Sequence, residues 1–95
     1  MVNSNSQKDK WEIIGYVKIS ESRYKTLKTI NTQYLMPKEI AEQSGLEPSQ
    51  ISKSLTDLKK QNLVFCKNEN LRKGRIYKTT ELGLEILNMI EKMNK

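Results

Sequence analysis

The fold of this chain is decided by residues 37–64, PKEIAEQSGLEPSQISKSLTDLKKQNLV. Pro37 and Pro48 each signal the start of a helix, because proline in the first turn of a helix sacrifices no backbone hydrogen bond. The first helix, residues 37–44, is predicted to end at Gly45, since glycine readily takes the positive φ found at helix ends. The second helix has apolar residues on one face of a period of about 3.6 residues, namely Ile51, Leu55 and Leu58. The stretch therefore predicts two short helices separated by a tight turn.

The sequence N-terminal to this pair predicts further helical structure. Residues 1–10 are polar and lack periodicity, so they are expected to form a disordered leader. Residues 11–19, WEIIGYVKI, fit neither a helical nor a strand period cleanly, and we favour a short helical turn. Ser20 or Ser22 can then cap a helix that runs to about Thr32. Residues 11–95 are accordingly predicted to form a single domain.

The sequence C-terminal to the pair predicts a hairpin and a last helix. Two β-rich runs, LVFCK (63–67) and RIYKT (75–79), are joined by a polar, basic tip and indicate an antiparallel hairpin. Thr80 can cap the helix that follows. The apolar residues of this helix cover an arc of about 160°, wider than a small domain needs for its own core, and are predicted to form a dimer interface: Leu82, Ile86, Leu87, Met89, Ile90 and Met93.

The distribution of charge indicates a polyanion-binding face. The chain has 95 residues, with 17 Lys plus Arg against 11 Asp plus Glu, a formal net charge of +6. Between Ser49 and Lys78 there are eight cations and two anions, so this third of the chain carries the whole net charge. Lysines used only for solubility would spread over all surfaces, whereas clustered cations are typical of proteins that bind nucleic acid.

Composition excludes several classes of protein. The chain has no His and one Cys, so an internal disulfide and a Cys/His zinc site are impossible. Its four glycines are scattered and form no phosphate-binding loop, and we expect neither an enzyme nor a bound cofactor or metal. No apolar run approaches the roughly 20 residues that span a bilayer, which predicts a soluble, cytoplasmic protein. Cys66, within the apolar run LVFC, is expected to be a packed core thiol rather than a redox switch.

Two short helices joined by a glycine-containing turn form a helix-turn-helix, whose second helix can enter the major groove of DNA. Residues 37–64 resemble the DNA-binding core of winged helix-turn-helix transcriptional regulators of the MarR-like and ArsR-like kind, particularly the small archaeal ones. Residues 73–83, KGRIYKTTELG, look like their wing exit and final helix cap, and SESRYKTLK (20–28) extends the resemblance, which covers residues 20–90. Such proteins usually have Ser, Thr or Asp at the cap of the recognition helix, where this chain has Glu47.

The resemblance implies a mainly α fold with a small antiparallel β-hairpin, and a homodimeric, sequence-specific regulator that binds double-stranded DNA. Within the second helix Gln50 is expected to pair with adenine and Lys53 with guanine. The full predicted DNA-binding set lies on this helix, at its end and on the hairpin: Ser49, Gln50, Ser52, Lys53, Thr56, Lys60, Arg72, Lys73 and Arg75. Ordinary solvated positions on an amphipathic helix and a charged hairpin tip are the alternative explanation for these residues.

Two other functions stay open at this point. Winged helices also serve as protein-interaction modules in larger assemblies. RNA binding usually stacks unpaired bases on exposed aromatic rings, and the basic window has only Phe65 and Tyr77, both in predicted strands. Outside that window, Trp11, Tyr16 and Tyr24 are expected to pack in the core or a dimer interface rather than line a ligand pocket.

Overall fold

A computed structural model describes residues 9–94. Within this range the chain forms five helices and one antiparallel hairpin, in which Phe65 lies opposite Lys78 and Leu35 adds a single bridge to Tyr77. The elements, in chain order, are α1 (Lys10–Lys18), α2 (Glu21–Ile30), α3 (Pro37–Ser44), α4 (Pro48–Lys60), β1 (Val64–Cys66), β2 (Tyr77–Thr79) and α5 (Glu81–Met93). The predicted class, mainly α with a small antiparallel hairpin, is confirmed.

The two central helices begin and end where the prolines and the glycine predicted. Pro37 and Pro48 occupy the first turns of α3 and α4, and Gly45 ends α3 with a φ of +78°. The backbone N–H of Gly45 donates to the Ala41 carbonyl at 2.9 Å, which completes the last turn of α3. Glycine is needed here because a Cβ makes this left-handed conformation costly. The helix-turn-helix geometry thus follows from local sequence signals.

The N-terminal segment is more regular than the sequence predicted. Residues 11–18 lie in a helix of nine residues, α1, rather than in a single turn, and Ile19 caps the end of this helix. Of the predicted leader, residues 1–8 lie outside the described residues, but Lys10 already belongs to α1 and Asp9 caps it, accepting the Trp11 N–H at 3.2 Å. Tertiary packing overrides the weak local signal, since α1 buries three side chains against the rest of the domain: Ile13, Ile14 and Val17.

The hairpin strands are shorter than predicted because, near the tip, the Asn68 side chain takes the place of a backbone carbonyl in the hydrogen bonding between the strands. A backbone bond from Lys67 N–H to the Ile76 carbonyl, at 2.8 Å, is followed by Asn68, whose side-chain oxygen accepts the Ile76 N–H at 2.8 Å. At the other end, the Leu63 carbonyl accepts the N–H of Thr80, the cap of α5, at 2.9 Å. The predicted runs 63–67 and 75–79 therefore contain three paired residues each.

The wide apolar arc of α5 serves mainly the core of its own protomer, which corrects the expectation that the whole arc forms a dimer interface. Ile86, Leu87 and Ile90 are buried within one chain, at 0%, 5% and 1% exposure. The arc is wide because α5 packs against α1 as well as against α2 and β2. Among the predicted interface residues, Met93 is exposed, whereas Leu82 and Met89 are half-buried. Cys66 is buried, as predicted for a core thiol.

Candidate nucleic-acid interface

The outer face of α4 carries five of the predicted DNA-binding residues, and all five are exposed. Ser49, Gln50, Ser52, Lys53 and Thr56 point away from the face that packs on α2 and α3. That packed face buries its apolar residues nearly completely: Ile51, Leu55 and Leu58. The amphipathic pattern read from the sequence is therefore the pattern of burial, and it leaves a short polar and basic surface free for a ligand.

Gln50 has a second task at the start of α4. Its side-chain oxygen accepts the backbone N–H of Glu47 at 2.9 Å, and its amide nitrogen donates to the Ser22 hydroxyl of α2 at 3.3 Å. This contact explains how Glu47 can stand at the cap position, because the helix start is satisfied by Gln50 rather than by a short cap side chain. Pairing with adenine would require this amide to leave both partners.

A buried ion pair fixes α4 on α2, and the sequence analysis missed it. Asp57 is buried on the inner side of α4, where its carboxylate lies 3.3 Å from Nε of Arg23 and 3.6 Å from Nζ of Lys53. The Arg23 guanidinium also donates to the Tyr16 carbonyl at 2.7 Å and stacks 3.8 Å above the Tyr16 ring. The only sequence signal was an acidic residue beside Leu58 on a helix whose other charges are basic. Lys53 is thereby oriented from within the domain.

The hairpin tip is held by its own side chains. Arg75 donates from Nε to the Leu71 carbonyl at 2.6 Å and from its terminal nitrogen to the Glu69 carbonyl at 3.2 Å. Asn68 donates to the Gly74 carbonyl at 3.1 Å, next to the positive φ of +72° that Gly74 adopts. Arg75, predicted to contact DNA, is thus half-buried and shapes the loop, while the neighbouring Arg72 and Lys73 are exposed.

An ion pair joins the hairpin tip to the end of α4. The Lys59 ammonium lies 2.6 Å from the Glu69 carboxylate. The hydrogen bond between them raises the pKa of Lys59 and lowers the pKa of Glu69. Within residues 9–94 the other cations at this end make no ion pair, so their charge is not neutralised locally: Lys60, Arg72 and Lys73.

α4 and the hairpin border one groove. Its volume is about 540 Å³, and it is lined by Ser52, Thr56, Lys59, Lys60, Arg75 and Tyr77, together with Pro37 and Leu55. Thr56 donates from its hydroxyl to the Ser52 carbonyl at 3.0 Å, so this part of the helix surface is ordered. The tertiary structure thus brings residues of α4 and of the hairpin together in one basic groove, although they are separated by about twenty positions in the chain.

The three aromatic residues noted near the N-terminus have different surroundings. Trp11 is 63% exposed, Tyr16 packs under Arg23, and the Tyr24 hydroxyl donates to Glu91, a hydrogen bond that raises the pKa of Tyr24. Among residues 9–94 no group of three or more His, Cys, Asp or Glu is placed to hold a metal ion. In the same range, no helix is long and apolar enough to cross a membrane.

The arrangement matches solved structures of DNA-binding regulators. TubR bound to 24 bp of tubC, from Bacillus thuringiensis serovar israelensis pBtoxis, superposes with a TM-score of 0.79 at 16% identity, over 92% of this chain and 97% of that chain. The chain is a winged helix-turn-helix. In this fold α4 is the second helix of the helix-turn-helix, and we call the hairpin tip, residues 67–76, the wing.

Two further winged helix structures are similar over most of this chain. The homodimeric DNA-binding domain of a possible ArsR-family transcriptional regulator from Mycobacterium bovis has a TM-score of 0.69 at 19% identity, covering 90% of this chain and 79% of that chain. A MarR family regulator from Neisseria meningitidis has a TM-score of 0.69 at 22% identity, covering 87% and 60% of the two chains. No protein-family model and no curated protein sequence matches the chain.

Proposed function

We propose that this winged helix protein is a cytoplasmic, non-enzymatic transcriptional regulator that binds double-stranded DNA sequence-specifically as a homodimer. The observation that carries the proposal is the groove shared by α4 and the wing, which has Lys59, Lys60 and Arg75 in its lining. A polar helix face bordered by unpaired cations has the chemistry that a duplex requires, with base edges facing the helix and phosphates facing the cations. TubR, the similar protein solved on a 24 bp duplex, supports the same assignment.

The exposed polar and basic residues of α4 and the wing divide into two kinds of contact. Lys53 is the strongest candidate for base recognition, because its ammonium is exposed and Asp57 orients it from below. Ser49, Ser52 and Thr56 are short polar groups beside it that can reach base edges or phosphates. The remaining cations supply affinity through phosphates: Lys60, Arg72 and Lys73. Arg75 contributes by shaping the wing, since its guanidinium already donates to two wing carbonyls.

Dimer formation is proposed to use exposed apolar side chains of α1 and α5. Trp11 on α1 is 63% exposed and Met93 on α5 is 48% exposed, whereas Ile86 and Ile90 are already in the core. Burying a large apolar side chain contributes about 1.5–3 kcal/mol before the entropic cost of association. A two-fold dimer would present two recognition helices about 34–36 Å apart, which demands a pseudo-palindromic site. The homodimeric Mycobacterium bovis domain supports this arrangement.

The decisive experiment selects bound duplexes from a random pool and then titrates the preferred duplex with salt. If each protomer neutralises about four to six phosphates, log K should fall against log[salt] with a slope of roughly −4 to −5 per protomer. A selected pseudo-palindrome with this slope is the expected result. A pool that yields no preferred sequence, together with a flat titration, would refute DNA binding and leave a protein-interaction module as the function.

A further inference from the structure

The outer face of the hairpin sheet carries aromatic and basic side chains that the proposed function does not use. Side chains alternate along the strands, so the residues flanking Phe65 on β1 and Lys78 on β2 are buried while these two point outward. Tyr34 lies beside them on the segment that precedes α3, because its neighbour Leu35 forms a bridge to Tyr77. We name this group the sheet platform, consisting of Tyr34, Phe65, Lys67 and Lys78.

The platform combines exposed rings with unneutralised cations. Tyr34 is 52% exposed and Phe65 is 40% exposed, so both rings are accessible to a ligand. The ammonium groups of Lys67 and Lys78 each lie 4.7 Å from the centre of the Tyr34 ring. No carboxylate among residues 9–94 is within ion-pair distance of either lysine, and Lys78 donates only to the Thr32 carbonyl, at 3.2 Å.

This chemistry selects an unpaired strand rather than a duplex. Bases inside a duplex have both faces covered by their neighbours, so they cannot stack on protein side chains, whereas unpaired bases can. Surfaces that hold single strands combine aromatic rings for the bases with cations for the phosphates. An acidic peptide would satisfy the two lysines but would leave the rings of Tyr34 and Phe65 without a matching partner.

We propose that the sheet platform binds a short single-stranded segment of nucleic acid, with bases stacked on Tyr34 and Phe65 and phosphates on Lys67 and Lys78. The platform faces away from the duplex-binding groove, because Tyr77, which lines that groove, points to the opposite side of β2 from Lys78. The platform is therefore separate from the groove, although Lys67 lies at the start of the wing. Failure of duplex binding would not by itself remove the single-strand site.

The test measures the anisotropy of a fluorescent 12-nucleotide oligothymidylate bound to the full chain at low salt. Replacing Tyr34 and Phe65 together by Ala should weaken binding by about tenfold or more, because stacking contributes substantially for each base. The Tyr34→Phe variant, which keeps the ring, should bind like the wild type. The matched control replaces Ile19, an exposed apolar residue outside both surfaces, by Ala and should leave the affinity unchanged.

Competition identifies which surface the oligonucleotide occupies. Excess unlabelled duplex, added at a salt concentration where it saturates the groove, should leave the oligothymidylate bound, and the Lys53→Ala variant should retain its affinity. The proposal is overturned if the Tyr34→Ala, Phe65→Ala protein, shown by circular dichroism to be folded, binds oligothymidylate as tightly as the wild type. It is also overturned if duplex displaces the oligonucleotide, or if oligoglutamate of equal charge binds the platform as tightly as oligothymidylate does.

Discussion

Gly83 lies at the closest approach between α5 and the exit of the hairpin, and adding one methyl group there should destabilise the whole domain. A Cβ at this position would lie 2.2 Å from the Leu63 carbonyl oxygen and 2.5 Å from Cγ2 of Thr79. The oxygen cannot move freely, since it accepts the Thr80 N–H at 2.9 Å, and Gly83 N–H in turn donates to the Thr80 hydroxyl at 2.9 Å. The substitution Gly83→Ala therefore forces α5 away from Leu63 and Thr79.

The magnitude follows from two opposing effects. Alanine favours a helix by up to about 1 kcal/mol over glycine, whereas overpacking a filled core costs typically 1–3 kcal/mol and occasionally more. The added Cβ would meet a hydrogen-bonded backbone oxygen rather than a flexible side chain. The overpacking cost of Gly83→Ala is therefore expected at or above the upper end of that range. A net loss of about 2–3 kcal/mol lowers the melting temperature of a domain this size by roughly 8–24 °C.

Gly15 supplies the matched control. It lies in α1, and a Cβ there would meet no atom within 4 Å. Gly15→Ala should therefore stabilise the protein by about 0.5–1 kcal/mol through helix preference alone. Thermal melts followed by circular dichroism, with urea titrations to check for two-state unfolding, compare both variants with the wild type. A Gly83→Ala protein that melts at or above the wild-type temperature would refute the close packing of α5 on Leu63.

Three further outcomes are expected. Glu69→Gln should release the Lys59 ammonium and steepen the salt dependence of duplex binding, by about 0.9 in the slope for one added phosphate contact; an unchanged slope would mean that Lys59 faces no phosphate. Lys53→Ala should cost about 1–3 kcal/mol on the selected duplex and little on random DNA, whereas Lys73→Ala should weaken both equally, as competition titrations can measure. Ile90→Glu should unfold the protein, because it buries an unpaired charge, while Trp11→Glu with Met93→Glu should give a folded monomer by sedimentation; a folded Ile90→Glu protein would contradict the core assignment of α5.

Local sequence predicted much of the candidate nucleic-acid interface. It did not predict which exposed polar side chains also make hydrogen bonds within the domain. The bounds of α3 and the exposed face of α4 follow from Pro37, Pro48, Gly45 and a helical period. The engagement of Gln50 with Glu47 and Ser22 does not, because Ser22 is 28 residues away in the chain. Arg75 is a similar case. A cation beside a glycine in a hairpin tip predicts an exposed side chain that can contact a phosphate, whereas the Arg75 guanidinium donates to two carbonyls of the loop.

Local sequence patterns were sufficient to predict the order of the elements, the helix-turn-helix and the clustering of the basic residues. These depend on residues close together in the chain: prolines that start helices, a glycine that ends one, and an apolar period that selects the buried face. The tertiary structure was needed to show which elements cover a wide apolar surface such as that of α5. The apolar arc of α5 could be covered either by a second chain or by α1. The apolar sequence pattern of α5 is the same in both cases, because the hydrophobic effect depends on the apolar area buried and not on which chain covers it. Packing of Ile13, Ile14 and Val17 on the domain places that arc in the core, and the pairing of Asp57 with Arg23 holds α4 on α2 through a contact between residues 34 positions apart.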